Sequence, residues 1–186
     1  MIYLASQSPR RQEILKSMEL IFCVVKSSYQ EKKIRGAGPR KLTVVHAVGK
    51  VQQAQVTPGA RFILGADTVV VFGKKIFTKP KNKKQAFKML SQLSGKWHSV
   101  FTGVALLDRQ TNKIRKACVC TKVLFRELSS TQILKYMKRV NPLDKAGGYA
   151  IQKKPRIVEK ISGSYTNVVG LPVETFREML KEAFKR

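Results

Sequence analysis

The chain has 186 residues, with 37 Lys+Arg against 11 Asp+Glu for a formal charge of +26, and 43% of it is hydrophobic. Phe, Leu, Ile and Val spread along the whole length exclude an intrinsically disordered basic protein and supply a sizeable core, so one domain over residues 1–186 is expected. The longest apolar stretch, Phe62 to Phe72, is broken by Asp67 and falls short of the ~18 to 20 residues of a membrane span; the N-terminus also lacks the basic-then-apolar order of a secretory leader, and the expectation is a cytoplasmic protein.

In chain order, Ile2 to Ala5 reads as a short buried strand. Ser8-Pro9 then offers an N-cap followed by proline at the first helical position, where its missing N–H costs nothing, opening a helix that runs to about Ser17. Leu20 to Lys26 reads as a strand, and the polar stretch Ser27 to Arg40, with Gly36, Gly38 and Pro39, as a mobile loop. A helix follows from about Arg40 to Gln55. Phe62 to Phe72 reads as a strand, Gly73 as a turn, and Pro80 as the opening of a helix with Ala86, Phe87, Met89, Leu90 and Leu93 at helical spacing. Trp97 to Leu107 and Ile114 to Phe125 resemble a long hairpin with Cys118 and Cys120 on one face. A helix over about Ser130 to Arg139, turns at Asn141-Pro142 and Gly147-Gly148, and a last amphipathic helix from Pro172 to Phe184 complete a mixed α/β pattern.

Basic runs at Lys32-Lys33-Ile34-Arg35, Lys81 to Lys84 and Lys153-Lys154-Pro155-Arg156 attract polyanions; scattered lysines are more often a solvated surface than a binding groove, and non-specific nucleic-acid binding is the alternative. No zinc-finger spacing, RNP-like strand or GxxG loop accompanies them. Cys23, Cys118 and Cys120 form no CxxC pair, which argues against structural zinc and for buried reduced thiols. With acids so scarce, their positions inform. Asp67 lies inside an apolar run, where an unpaired charge costs several kcal/mol; Glu31 stands in the polar loop and Glu13 on the first helix. Ser6, Ser8, Arg10 and Arg11 place cations and N–H groups at a strand-to-helix turn suited to phosphate oxygens, and Lys50 and Lys79 add point charges. Carboxylates for a hard cation together with cations for phosphates is the combination that phosphoryl or nucleotidyl hydrolysis requires. His98, inside a strand with alternating apolar neighbours, reads as structural.

LASQSPRR at Leu4 to Arg11, GADTVVV at Gly65 to Val71, Lys79-Pro80, LSGKWHSVFTGVAL at Leu93 to Leu106, PLDKAGGYAIQ at Pro142 to Gln152 and GSYTNVVGLP at Gly163 to Pro172 closely resemble the Maf family of nucleoside triphosphate pyrophosphatases. The resemblance implies an ITPase-like fold, an elongated twisted mixed sheet flanked by helices with a cleft between two lobes. It also implies a homodimer and a cytoplasmic house-cleaning hydrolase that releases pyrophosphate with a divalent metal, Mg2+, Mn2+ or Co2+. Under it, Asp67 and Glu31 are catalytic and metal-holding, Lys50 and Lys79 catalytic, and Ser6, Ser8, Arg10, Arg11, Glu13, Thr68 and Gln152 substrate-binding. Arg11, Thr68 and Gln152 match positions of the dTTP/UTP branch. Which carboxylate is ligand and which is base stays open. AIQ stands where GIQ is usual, Lys74-Lys75 and Lys81 to Lys84 replace stretches that are commonly acidic, and residues 32 to 40 match poorly. The rival reading is a septum-formation inhibitor or a basic nucleic-acid-binding protein without turnover; the full acid set favours the enzyme.

Overall fold

The structure, a computed structural model, describes residues 1–32 and 34–185; Lys33, in the first basic run, and Arg186 lie outside the described residues. Among the described residues, seven strands form one mixed sheet in the order β2-β1-β3-β5-β6-β7, with β4 pairing on β3, and six α-helices accompany it. β1 (Ile2–Leu4) lies parallel to both β2 (Phe22–Val24) and β3 (Phe62–Phe72), with Ile2 opposite Phe22 on one side and Phe62 on the other. β3 is apolar almost throughout rather than alternating, and consecutive residues from Phe62 to Asp67 are all buried, so both of its faces are covered there. β4 (Lys75–Phe77) returns antiparallel on the end of β3, and β7 (Val158–Ser162) runs antiparallel to β6 (Lys113–Phe125).

The chain divides into two compact units. The first comprises Met1–Asp67, Thr102–Val119 and the chain from Gly170 onward. Here α1 (Pro9–Ser17) buries Arg11, Ile14 and Leu15, and α2 (Pro39–Gln52) packs Ala47 and Val51 with Ala5, Ile63, Ala105 and Leu107. Two glycines let α2 lie directly on the sheet. A β-carbon at Gly65 would fall 2.7 Å from the Ala47 carbonyl oxygen and 2.8 Å from Val51 Cγ1, and one at Gly103 in β5 (Trp97–Asp108) would fall 2.3 Å from the backbone of Thr43. α6 (Val173–Phe184) buries Phe176, Met179 and Ala183.

The second unit, Thr68–Phe101 and Cys120–Val169, has its own core. α3 (Lys83–Leu93) and α4 (Ser130–Arg139) contribute Met89, Leu90, Leu93, Ile133 and Tyr136 to a cluster with Val70, Val100, Val123 and Phe125. His98 is wedged edge-on against Phe125 and Tyr149, with ring centroids 4.8 and 5.4 Å away, and Nε2 is 2.8 Å from the Tyr149 hydroxyl. Burial pushes its imidazole down to about 4, as fits a structural group. α5 (Tyr165–Val169) buries Asn167, whose amide donates to the Val100 carbonyl and Thr121.

Several sequence expectations change. α3 begins after Asn82, whose side chain accepts from Gln85 N–H at 2.8 Å, so Pro80 precedes the helix instead of opening it. Ser8 occupies the N-cap position of α1 but its hydroxyl makes no cap bond. The cysteines form no disulfide among the described residues, yet Cys23 is exposed and Cys118 and Cys120 only half-buried, so they are not core thiols. Strands β4 and β7 and helix α5 were not anticipated: VEKIS at Val158–Ser162 offers only two apolar side chains, three residues apart, too few to register as a strand. No described helix is long and apolar enough to cross a membrane.

Candidate active site

β3 carries Asp67 at the end of its first-unit stretch, only 7% exposed. A buried carboxylate survives by being paired, and three cations face it. Lys50 Nζ donates to Oδ1 at 2.9 Å and His46 Nδ1 to Oδ2 at 3.1 Å, with Arg11 acting through its charge. Burial pulls the Asp67 carboxyl upward, but the His46 hydrogen bond, Lys50 and Arg11 outweigh it and hold the group at about 2. α2 delivers two of these partners because His46 and Lys50, four residues apart, share one face of the helix. Lys50 also donates to the Ala66 carbonyl at 3.2 Å and reaches Glu31 Oε1 at 2.6 Å. An ammonium has three donors, and each has an acceptor here.

The loop of Glu31 is not free as its composition suggested. It is laid along α2. Ser28 N–H bonds the Gln53 carbonyl at 3.1 Å, the Tyr29 ring covers Gly49, and the Lys32 carbonyl lies 3.1 Å from His46 Nε2. His46 therefore faces two groups that only accept, a carboxylate and a carbonyl, and both ring nitrogens donate. The hydrogen bond to Asp67 accordingly raises its affinity for the second proton against the opposing pull of burial. His46 was not among the sequence candidates; its spacing of four from Lys50 was the available signal.

Of the other candidates in this unit, Arg11 is buried, with Nε donating to the Gly170 carbonyl at 2.8 Å and a terminal nitrogen to the Ser6 hydroxyl at 2.8 Å. Ser6 also accepts from Ser8 N–H at 3.3 Å, so its hydroxyl ties the turn ahead of α1 to Arg11 in the first turn of the helix. Arg10 is half-buried and Glu13 exposed on α1. In the second unit, Thr68 follows Asp67 along β3 and is half-buried, and Lys79 is exposed after β4. Gln152, in the turns after Tyr149, holds both amide atoms buried without a hydrogen-bond partner.

Glu31, His46 and Asp67 each offer one ligand atom, and these atoms lie within 4.8 Å of one another. The two carboxylate oxygens are donors suited to Mg2+, Mn2+ or Co2+, whereas the imidazole could join them only after losing the Nδ1 proton that it donates to Asp67. Lys50 already bridges the two carboxylates with a positive charge, so the pair is arranged around a cation and the residues fit such an ion.

These features define a class: a mixed-sheet α/β protein whose central strand delivers a buried carboxylate into a ring of cations beside a second acid. The chain belongs to the Maf-like protein family, whose model matches residues 1–183. It is 45% identical over 186 residues to a Clostridium botulinum (strain Okra / Type B1) protein named dTTP/UTP pyrophosphatase, covering 97% of this chain and 96% of the relative. A Gloeobacter violaceus protein of the same name is 40% identical over 186 residues, covering 100% of this chain and 97% of the relative. A third from Clostridium acetobutylicum is 43% identical over 190 residues, with 96% of each chain covered.

Proposed function

We propose that this protein hydrolyses dTTP or UTP to the monophosphate and pyrophosphate. The observation that carries the proposal is the buried, multiply paired Asp67, together with relatives of near-equal length that bear that activity's name. Water adds to the α-phosphorus, the bond from that phosphorus to the bridging oxygen breaks, and pyrophosphate leaves with the electron pair. Glu31 and Asp67 would hold the divalent cation, which would supply Lewis-acid polarisation of a phosphoryl oxygen and a more acidic water. A carboxyl held at about 2 is a poor proton acceptor near neutrality, which supports a charge-bearing role for Asp67 over that of general base. Lys50 steadies both carboxylates, and Lys79, Arg10 and Arg11 serve phosphate oxygens. Ser6 and Ser8 shape the turn that orients Arg11, Thr68 puts a hydroxyl next to Asp67 along the strand, and Glu13 lends an acceptor on α1.

Gln152 is assigned to base reading. Its partnerless amide offers a donor and an acceptor, the complement of a pyrimidine edge with carbonyl acceptors and an N3–H donor, whereas an ionised carboxylate there only accepts. The test is pyrophosphate release from dTTP, UTP, CTP and 7-methyl-GTP with Mg2+, Mn2+ and Co2+. Wild type favours dTTP and UTP, and Gln152→Glu lowers kcat/KM for them by about 100-fold or more, as a mismatched buried hydrogen bond does. A wild type that prefers 7-methyl-GTP, or a Gln152→Glu variant with an intact pyrimidine preference, refutes the base assignment; no pyrophosphate from any of the four refutes the reaction.

A further inference from the structure

Three contacts fasten the acidic loop to α2 at successive turns of the helix: Ser28 at Gln53, Tyr29 at Gly49, and Lys32 at His46. Two of them require unusual residues. Gly49 lies in a helix interior, where glycine costs about 1 kcal/mol against alanine. What it gains is room: a β-carbon there would fall 2.2 to 2.6 Å from the Tyr29 ring, so only glycine admits the ring at this depth. His46 is a buried polar side chain in the same helix, and alongside the Lys50 bridge it joins the carboxylate of β3 to the backbone one residue beyond Glu31. Tyr29 and His46 also lie against each other, ring centroids 5.9 Å apart.

We propose that His46 and Gly49 are positioning residues: His46 is a strut between Asp67 and the Lys32 carbonyl, Gly49 a notch for the Tyr29 ring, and together they set Glu31 at its distance from Asp67. The inference deepens the reading of these two acids as the holders of a divalent cation and rests on it. Neither residue touches the substrate. Groups that orient metal-holding carboxylates typically contribute 10- to 100-fold to metal affinity.

The probe is Mn2+ alone, titrated into the full chain and followed by the electron paramagnetic resonance signal of the free ion, with thermal melts to verify folding. Gly49→Ala adds one methyl and no charge, and it weakens Mn2+ binding by about 10-fold or more. Tyr29→Leu, which removes the ring without a clash, gives a similar loss and covers the case in which Gly49→Ala misfolds. The double variant is no worse than either single one, because notch and ring act as a unit. His46→Leu, which keeps the volume and removes both hydrogen bonds, also weakens binding, while Lys83→Glu on α3 leaves it at the wild-type value.

Unchanged Mn2+ affinity in Tyr29→Leu, additive losses in the double variant, or no saturable binding in wild type overturns the proposal. So does tighter binding in His46→Leu, which makes the imidazolium a competitor for the cation's place. Nitrogen coupling to bound Mn2+ that vanishes in His46→Leu makes His46 a ligand and overturns its role as a strut. Pyrophosphate release is measured separately on wild type with dTTP: its absence sinks the proposed reaction while the Mn2+ comparison still decides the positioning.

Discussion

Gly65→Ala tests whether α2 must lie as deep on the sheet as it does. The added β-carbon meets the Ala47 carbonyl oxygen at 2.7 Å and Val51 Cγ1 at 2.8 Å, where ordinary contact begins at 3.4 Å. Relief needs a displacement of roughly 0.7 Å, and because one obstacle is backbone, trimming Val51 cannot provide it. Overpacking of this kind costs about 1 to 3 kcal/mol, or roughly 3 to 10 °C in Tm for a chain of this length. The same shift lifts Lys50 off Asp67 Oδ1, now 2.9 Å away, and misplacement on the scale of 1 Å costs up to about 100-fold in turnover. Differential scanning calorimetry and pyrophosphate-release kinetics on dTTP measure the two effects. Gly103→Ala, aimed at the Thr43 backbone at 2.3 Å, destabilises more. A Gly65→Ala variant that melts and turns over like wild type refutes the reasoning that the helix is seated on these glycines.

Asp67→Asn retains the fold and lowers kcat by about 100-fold or more. Its pH profile carries a sign: a carboxyl held at about 2 against an ordinary 3.8 adds about 2 kcal/mol above the ordinary value, lost as pH falls towards 2, so wild type and variant converge in strong acid. His98, lowered from 6.5 to about 4, contributes stability that is present above 6.5 and lost as pH falls through 4, on the order of 3 kcal/mol in all; His98→Phe flattens the melting profile across that window. Duplex DNA binds without sequence preference and is released steeply between about 50 and 200 mM salt; tight, sequence-selective binding at the higher salt would reverse the ranking of enzyme over nucleic-acid binder.

Elements with strong periodicity or firm end signals are legible in the sequence. β3 was read at Phe62 to Phe72 and α4 at Ser130 to Arg139, since an eleven-residue apolar run and an amphipathic helix announce themselves. β7 was invisible because its stability comes from pairing with β6 rather than from its own side chains. Asp67 was legible as a misfit charge in an apolar run, and Lys50 was named with it. His46 was missed because a histidine among Val45, Ala47 and Val48 has the pattern of any core residue, and its two acceptors come from remote segments. The contacts that lay the loop of Glu31 along α2 were hidden for a related reason: its polarity is local, but the surface it meets is a helix that begins eight residues later.

Lysine and arginine are treated as equivalent by any measure of net charge, and across most of this chain's surface they are. Position 50 is different. The three acceptors around its nitrogen are a backbone carbonyl and a carboxylate from neighbouring residues of β3, Ala66 and Asp67, and a second carboxylate from the loop of Glu31, and a rotatable tetrahedral ammonium can serve all three from one compact centre. A guanidinium spreads its donors over a flat, larger fork suited to a single planar partner, and it would have to force the two acids apart to enter. The exchange of one basic residue for another, neutral almost anywhere else in the sequence, is therefore a change of shape here, and the general drift towards positive charge has no freedom at the point where charge is used.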